Sequence, residues 1–164
     1  MRWSMAMRRD RGFSRIELIL IATILALIGL IAIPRLSRGD TGPADATLVG
    51  NLAVLRNAID LYVADHGGRY PQAKDLARQL THFTDATGDI GNVEDNRHIY
   101  GPYLRALPPL PIGFYRGATY IIDGHRAAPG ESAGGWWYLS RTGTIKPNVK
   151  ITDLDDRGQS YLQY

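Results

Sequence analysis

The sequence predicts an α+β fold, in which a long N-terminal hydrophobic helix precedes an amphipathic helix packed on a small antiparallel sheet. Three observations lead to this prediction. Residues 18–33 contain no charged side chain. From Leu48 onward, apolar residues recur with alternating spacings of four and three, which is the period of one helix face. Segments rich in β-branched and aromatic residues follow from residue 118.

A basic leader, residues 1–12, opens the chain. It contains four arginines and one aspartate, so it accounts for the whole formal net charge of +3. Residues 13–164 therefore carry no net charge, and no basic stripe there predicts nucleic-acid binding. The chain has no cysteine, which excludes disulfides and thiolate metal sites.

Residues 13–34 have the length and composition of a membrane-spanning or filament-core helix. At about 1.5 Å per residue, a helix from Phe13 to Ile33 extends about 30 Å, which matches a bilayer core. The basic leader predicts a cytoplasmic N-terminus, with the remainder of the chain on the other side of the membrane. Glu17 lies at the edge of the apolar run, where a carboxylate costs about 2–4 kcal/mol, and is therefore a candidate functional residue.

The residues of this segment alone leave two interpretations open. A single-pass signal anchor explains the apolar span and the arginines but gives Glu17 no role. A twin-arginine export signal is favoured by Arg8 and Arg9, although Gly12 intervenes and the apolar run is longer than such a signal needs.

The order of residues at the leader boundary resembles the type IV prepilin signal. Gly12 matches the residue before the prepilin peptidase cut, and Phe13 matches the new N-terminus, which is usually N-methylated. Glu17 matches the acidic fifth residue of the mature chain, and Pro34 matches a helix-kinking proline. The resemblance implies that Glu17 pairs with the N-terminal amine of a neighbouring subunit and sets the axial register. Arg15 departs from the family pattern, because that position is usually apolar.

Residues 35–43 are predicted to form a joint and residues 44–67 an amphipathic helix of the head. Closely spaced Gly39, Gly42 and Pro43 interrupt a continuous helix, and Pro43 suits the first turn of a new one. The predicted buried stripe consists of Leu48, Leu52, Leu55, Ile59 and Tyr62. A second line is expected to widen this face: Val54, Ala58 and Leu61. The glycines at 67 and 68 suit a left-handed C-terminal cap.

The end of this helix carries a second resemblance. Gly68-Arg69-Tyr70-Pro71 is similar to the turn after the corresponding helix in major pseudopilins of type II secretion systems. We expect Tyr70 to anchor the turn on the sheet and Pro71 to stop the helix. This resemblance favours a pseudopilin over a pilus-forming pilin.

Residues 68–164 are predicted to form the sheet and loops of the head. A short helix is expected at 74–81, a loop at 84–96 and an irregular proline-rich stretch at 100–111. Strands are predicted at 118–122, 135–140 and 144–146, with a hairpin loop at 141–143. Because successive residues of a strand point to opposite faces, we expect one of Trp136 and Trp137 to enter the core and the other to be exposed or to face another subunit.

No catalytic motif is present in the sequence, and the chain is predicted not to be an enzyme. The histidines show no metal spacing and are expected in turns or in solvent: His66, His82, His98 and His125. One acidic cluster offers the oxygen ligands that calcium prefers: Asp153, Asp155 and Asp156. The resemblance implies calcium near the C-terminus, whereas the intruding Arg157 favours a solvated turn without a cofactor.

The resemblance implies a structural subunit of a type II secretion pseudopilus that drives protein secretion. The implied partners are prepilin peptidase, further copies of the chain, sister pseudopilins, and an inner-membrane assembly platform with its ATPase. The implied location is the inner membrane, with a single span, a cytoplasmic N-terminus and a head in a periplasmic filament. The alternatives are a type IV pilin or competence-type minor pilin, and a single-pass membrane-anchored periplasmic binding protein.

Overall fold

A helix of 23 residues dominates the part of the chain that the computed structural model describes, residues 42–164. This helix, α1, spans Pro43–Asp65, with Gly42 as its N-cap. Pro43 is tolerated there because the first backbone N–H groups of a helix have no partner within it. At the other end the backbone N–H of His66 donates to the Tyr62 carbonyl, and Gly67 and Gly68 follow with positive φ. The predicted helix and its glycine cap are confirmed.

The buried face of α1 follows the predicted stripe. All five predicted residues are at most 3% exposed: Leu48, Leu52, Leu55, Ile59 and Tyr62. The predicted second line is wrong for two of its three members, because Val54 and Leu61 are 49% and 48% exposed. At about 100° per residue, these two positions lie about 200° and 180° around the helix from Leu52. Ala58 is buried as expected.

The remaining elements are short. They are α2 (Leu76–Thr81), β1 (Phe83–Thr84), β2 (Ile90–Gly91), β3 (Ile121–Asp123), β4 (Trp136–Leu139), β5 (Thr144–Pro147) and a final 3₁₀ turn (Tyr161–Gln163). Strands β1 and β2 pair antiparallel, in a region that was predicted to be a loop. The second sheet has the order β3-β4-β5, and α1 packs mainly against β5.

The sheet is mixed, which corrects the predicted antiparallel sheet. Strands β4 and β5 form the expected antiparallel hairpin, but β3 runs parallel to β4, with Ile121 opposite Trp136. Residues 124–135 make the crossover, about the shortest length that a parallel connection allows. The Tyr120 carbonyl accepts from the backbone N–H groups of Gly135 (2.8 Å) and Trp136 (3.1 Å), which brings the two segments together before the strands pair.

The two tryptophans of β4 lie on opposite faces, as predicted. Trp136 is fully buried, and its indole N–H donates to the Pro108 carbonyl at 2.8 Å. Trp137 is half-buried rather than exposed, because the β3–β4 crossover covers it and Ala127 accepts its indole N–H at 2.8 Å. The prediction that the second tryptophan is fully exposed is therefore wrong, and the alternative that it faces another subunit stays a prediction.

Tyr70 anchors the turn after α1, as the sequence predicts. Its ring packs directly on Gly143 in the β4–β5 hairpin loop, where an added Cβ would overlap the ring. Gly143 also has φ +67°, a conformation that favours glycine. The proline-rich stretch at 100–111 contains no strand and contributes Leu110 to the core.

Candidate functional site

The residues predicted to direct processing and assembly lie outside residues 42–164. They are Gly12, Phe13 and Glu17, together with the leader 1–12 and the apolar segment 13–34. Within the described residues, no helix combines the length and the apolar character needed to cross a membrane. The predicted site that the structure does describe is the acidic one near the C-terminus.

Asp155 is the centre of this site. Its side chain is fully buried, and its Oδ1 accepts from the backbone N–H groups of Arg157 (2.9 Å) and Gln159 (2.8 Å). Its Oδ2 accepts from the Tyr164 hydroxyl at 2.7 Å and lies 3.4 Å from Nη2 of Arg157. The Arg157 guanidinium also donates to the Tyr164 hydroxyl at 3.1 Å. The prediction of a solvated turn is therefore wrong for Asp155.

The other two predicted carboxylates face different partners. Asp153 Oδ2 accepts from the backbone N–H of Lys150 at 3.0 Å, and Asp156 Oδ2 accepts from that of Gly42 at 3.2 Å. Among residues 42–164, no three histidine, aspartate or glutamate side chains form a group able to hold a metal ion. The three carboxylates are close in sequence but have separate partners: Asp153 and Asp155 close local turns, and Asp156 contacts the N-cap of α1.

The C-terminal tail, defined here as residues 155–164, is fastened along α1. The Tyr161 hydroxyl donates to Asp45 Oδ1 at 2.6 Å, in the first turn of the helix. About three turns further on, Arg56 Nη2 donates to the main-chain oxygen of Tyr164 at 2.6 Å. From the sheet side, Lys146 Nζ donates to the Leu162 carbonyl at 3.1 Å. Sequence reasoning missed this docking, although two tyrosines among the last four residues are a signal for it.

The titratable groups of the tail share one electrostatic environment. The hydrogen bond from Tyr164 lowers the pKa of Asp155, and the backbone donors of Gln159 and Arg157 add to this against the opposing effect of burial. Donating that bond to the carboxylate raises the pKa of Tyr164 in turn. Burial, followed by the hydrogen bond to Asp45, raises the pKa of Tyr161 well above its usual range. Asp155 is therefore held as a carboxylate and both tyrosines as neutral phenols.

A second aspartate loop has the same construction. Asp85 Oδ1 accepts from the backbone N–H groups of Thr87 (2.8 Å) and Asp89 (2.9 Å), and Arg97 Nε contacts its Oδ2 at 2.9 Å. Gly88 takes φ +86° here, as Gly158 takes φ +76° in the tail. Burial alone would raise the pKa of Asp85, but a hydrogen bond from the Thr87 hydroxyl, together with the backbone donors and Arg97, holds it well below its usual range. The shared spacing, aspartate three residues before glycine, marks both loops in the sequence.

His66 lies in the turn that ends α1, which is one of the two surroundings predicted for the histidines, but it is buried. It is 2% exposed and stacks on Tyr62, with ring centroids 3.7 Å apart. Its Nδ1 donates to the Tyr62 carbonyl at 2.7 Å, since a carbonyl only accepts, and its Nε2 lies 3.1 Å from the Thr84 hydroxyl. His66 therefore joins the end of α1 to β1 as a structural residue.

Comparisons with known proteins point to one group. No protein-family model matches the chain, and no solved structure matches it. Curated relatives do match. "Type II secretion system core protein G" of Klebsiella pneumoniae is 31% identical over 108 residues, which is 65% of this chain and 72% of that protein. The proteins of the same name from Aeromonas hydrophila and Vibrio cholerae are each 27% identical, over 66% and 65% of this chain and 72% and 68% of their own lengths.

Within residues 42–164, the long amphipathic helix α1 lies on a small mixed sheet, and the C-terminal tail docks on that helix. This arrangement places the protein in the α+β class. The relatives narrow this class. The chain belongs to the family of type II secretion system core protein G, and the predicted resemblance to major pseudopilins is confirmed.

Proposed function

We propose that the chain is a structural subunit of a type II secretion pseudopilus. The observation that supports this most is the similarity to curated core G proteins over about two thirds of the chain. The order Gly12, Phe13 and Glu17 supports it independently, because that order resembles a prepilin signal. A pseudopilus acts mechanically, by extension of the filament. The chain is therefore a subunit that is assembled into the filament and not a catalyst.

The proposed sequence of events begins with prepilin peptidase, which cuts between Gly12 and Phe13. The cut removes the leader and with it the whole net positive charge of the chain. The new N-terminal amine of Phe13, N-methylated in the process, becomes available to Glu17 of a neighbouring copy. Residues 13–34 anchor the subunit in the inner membrane before assembly and form the apolar core of the filament afterwards. The head lies on the periplasmic side.

The proposed partners follow from this role. They are further copies of the chain, sister pseudopilins, and an inner-membrane platform whose ATPase supplies the energy for extension. The stripe on α1 that is buried in the head core takes no part in such contacts, because its residues are at most 3% exposed. Contacts between heads therefore involve the outer face of α1, where Val54 and Leu61 are about half exposed, and the surface loops.

The mature N-terminus tests the proposal. Mass spectrometry of the chain from its own host should show a protein that begins at Phe13 with a methylated amine. Gly12→Val should block the cut, because a branched side chain obstructs the close approach of the backbone to the protease cleft. Gly50→Ala is the matched control, since an added Cβ there meets nothing within 4 Å. An uncut Met1, or a cut after residue 33, would overturn the proposal.

Glu17→Ala tests the assembly step separately. It should be processed normally but fail to form filaments, as judged by electron microscopy of shear fractions from overexpressing cells. Glu94→Ala, at an exposed position of the head, is the control and should assemble like the wild type. Normal filaments from Glu17→Ala would refute the pairing. Cut subunits that never form filaments in the wild type would favour the membrane-anchored binding protein. Long surface pili without a secretion defect in a deletion strain would favour the type IV pilin or competence pilin.

A further inference from the structure

We propose that an internal ion pair between Arg157 and Asp155, to which Tyr164 is hydrogen-bonded, closes the C-terminal loop of the head. The family resemblance implies calcium at this place. In this protein the Arg157 guanidinium supplies the positive charge that a calcium ion would otherwise supply. The integrity of the loop is accordingly independent of calcium. This inference concerns residues 155–164 alone and does not depend on how the N-terminal segment is processed.

The donor set around Asp155 does not fit a calcium ion. A carboxylate offers about four acceptor positions, and calcium needs six to eight oxygen ligands from its surroundings. Both oxygens of Asp155 already accept, two backbone N–H groups on one and the Tyr164 hydroxyl and the guanidinium on the other. A cation placed on Oδ2 would face Arg157, which carries the same charge.

The neighbouring carboxylates do not complete a coordination sphere. Asp156 reaches away to the N-cap of α1 at Gly42, and Asp153 closes a turn on Lys150. Calcium at this loop would need both to turn inward and to give up these hydrogen bonds. The loop at Asp85 shows that the chain uses the same solution twice, because Arg97 contacts the second oxygen there at 2.9 Å.

Arginine suits this position better than lysine. Two nitrogens of its planar fork, Nε and Nη2, each lie 3.4 Å from Asp155 Oδ2, and Nη2 also donates to the Tyr164 hydroxyl at 3.1 Å. Through Tyr164 the pair reaches Arg56, which donates to the main-chain oxygen of that residue. Arg157 therefore positions the tail against α1.

The test uses the full chain purified in detergent micelles. Titration calorimetry to 5 mM calcium chloride and near-ultraviolet circular dichroism melts in calcium and in EDTA measure metal dependence, while hydrogen exchange of peptides covering 155–164 measures the tail. We expect no saturable heat, the same midpoint in both buffers, and the same exchange. Arg157→Gln should lower the midpoint by about 2–4 °C and speed exchange at Gln159. Arg157→Lys, which keeps the charge but not the planar fork, should lower the midpoint by a smaller amount than Arg157→Gln.

Arg141→Gln is the matched control. It removes the same charge from an exposed loop position that forms no ion pair with another of residues 42–164, and it should change neither the midpoint nor exchange in the tail. Two results would overturn the proposal: saturable calcium binding that Asp155→Asn abolishes, or an Arg157→Gln variant that behaves like Arg141→Gln. Because Arg157 is about half exposed, its replacement leaves the core packing unchanged and the variant measurable.

Discussion

Replacing Tyr161 with phenylalanine removes one oxygen atom but leaves a buried carboxylate short of its partner. The Tyr161 hydroxyl donates to Asp45 Oδ1 at 2.6 Å, and Asp45 is 3% exposed. Its other oxygen, Oδ2, is buried and has no hydrogen-bond partner among the described residues. Among residues 42–164, Tyr161 therefore supplies the side-chain hydrogen bond that this carboxylate accepts, and the first turn of α1 adds a favourable helix dipole. A hydrogen bond to a charged group contributes about 1.5–3 kcal/mol, so Tyr161→Phe should cost about that much.

The assay is a double-mutant cycle on a fragment of residues 35–164, followed by urea unfolding and near-ultraviolet circular dichroism. In an Asp45→Asn background the acceptor is neutral, and Tyr161→Phe should cost only about 0.5–1.5 kcal/mol. The coupling energy should therefore be about 1 kcal/mol. Tyr120→Phe is the control, because Tyr120 is 76% exposed and the structure records no bond from its hydroxyl.

Two outcomes would refute this reasoning about Asp45. One is a cost for Tyr161→Phe that is the same in both backgrounds, which would mean that the charge of Asp45 is irrelevant. The other is a cost no greater than that of the Tyr120 control. The dependence of the unfolding free energy on pH above about 10 gives a further check. Because the folded pKa of Tyr161 is raised, its contribution is present below its unfolded pKa of about 10 and is lost as the pH rises above that value.

Three further predictions use the same assay. Leu52→Ala should cost about 2–5 kcal/mol because it opens a cavity in the core, whereas Val54→Ala, on the exposed face, should cost under about 1 kcal/mol; equal costs would contradict the observed helix face. Gly143→Ala combines φ +67° with a clash on a tyrosine ring and should cost more than about 2 kcal/mol, against about 1 kcal/mol for Gly117→Ala, which has φ +89° in open space. Asp85→Asn should reduce the loss of unfolding free energy at low pH. The folded pKa of Asp85 is lowered, so the stability that its carboxylate contributes is present above the unfolded pKa of about 4 and is lost as the pH falls below that value. An unchanged slope between pH 4 and pH 2 would contradict that assignment.

The helical part of the head was predictable because its signals are local. The four-and-three spacing placed Leu48 through Tyr62 on one face, and the glycines at 67 and 68 marked its end. The hairpin β4–β5 was equally local, since two strand-forming segments flank a short loop that ends in glycine. Tyr70 on Gly143 followed from the resemblance rather than from any periodicity.

Features that depend on distant pairing were not predictable. Nothing in residues 118–123 distinguishes a strand that joins β4 in parallel from one that joins it antiparallel, because both need the same residue types. The cover over Trp137 depends on the path of the crossover. Asp155 looked like a solvated acid or a metal ligand until Tyr164 and Arg157 were seen beside it. The spacing from Asp155 to Gly158 marks the loop in the sequence, but the fold decides that the Tyr164 hydroxyl reaches the second oxygen of the carboxylate.

The attachment of the tail to the start of α1 has a mechanical and cooperative consequence. Asp156 accepts from the backbone N–H of Gly42, and Tyr161 donates to Asp45 three residues later, so the first turn of α1 and the tail hold each other. Fraying of either terminus therefore breaks the same bonds, and the two ends of the head should open as one unit with one free energy. A pulling force applied to the head at Gly42 is therefore shared by the first turn of α1 and the tail, and neither segment can detach from the head without the other.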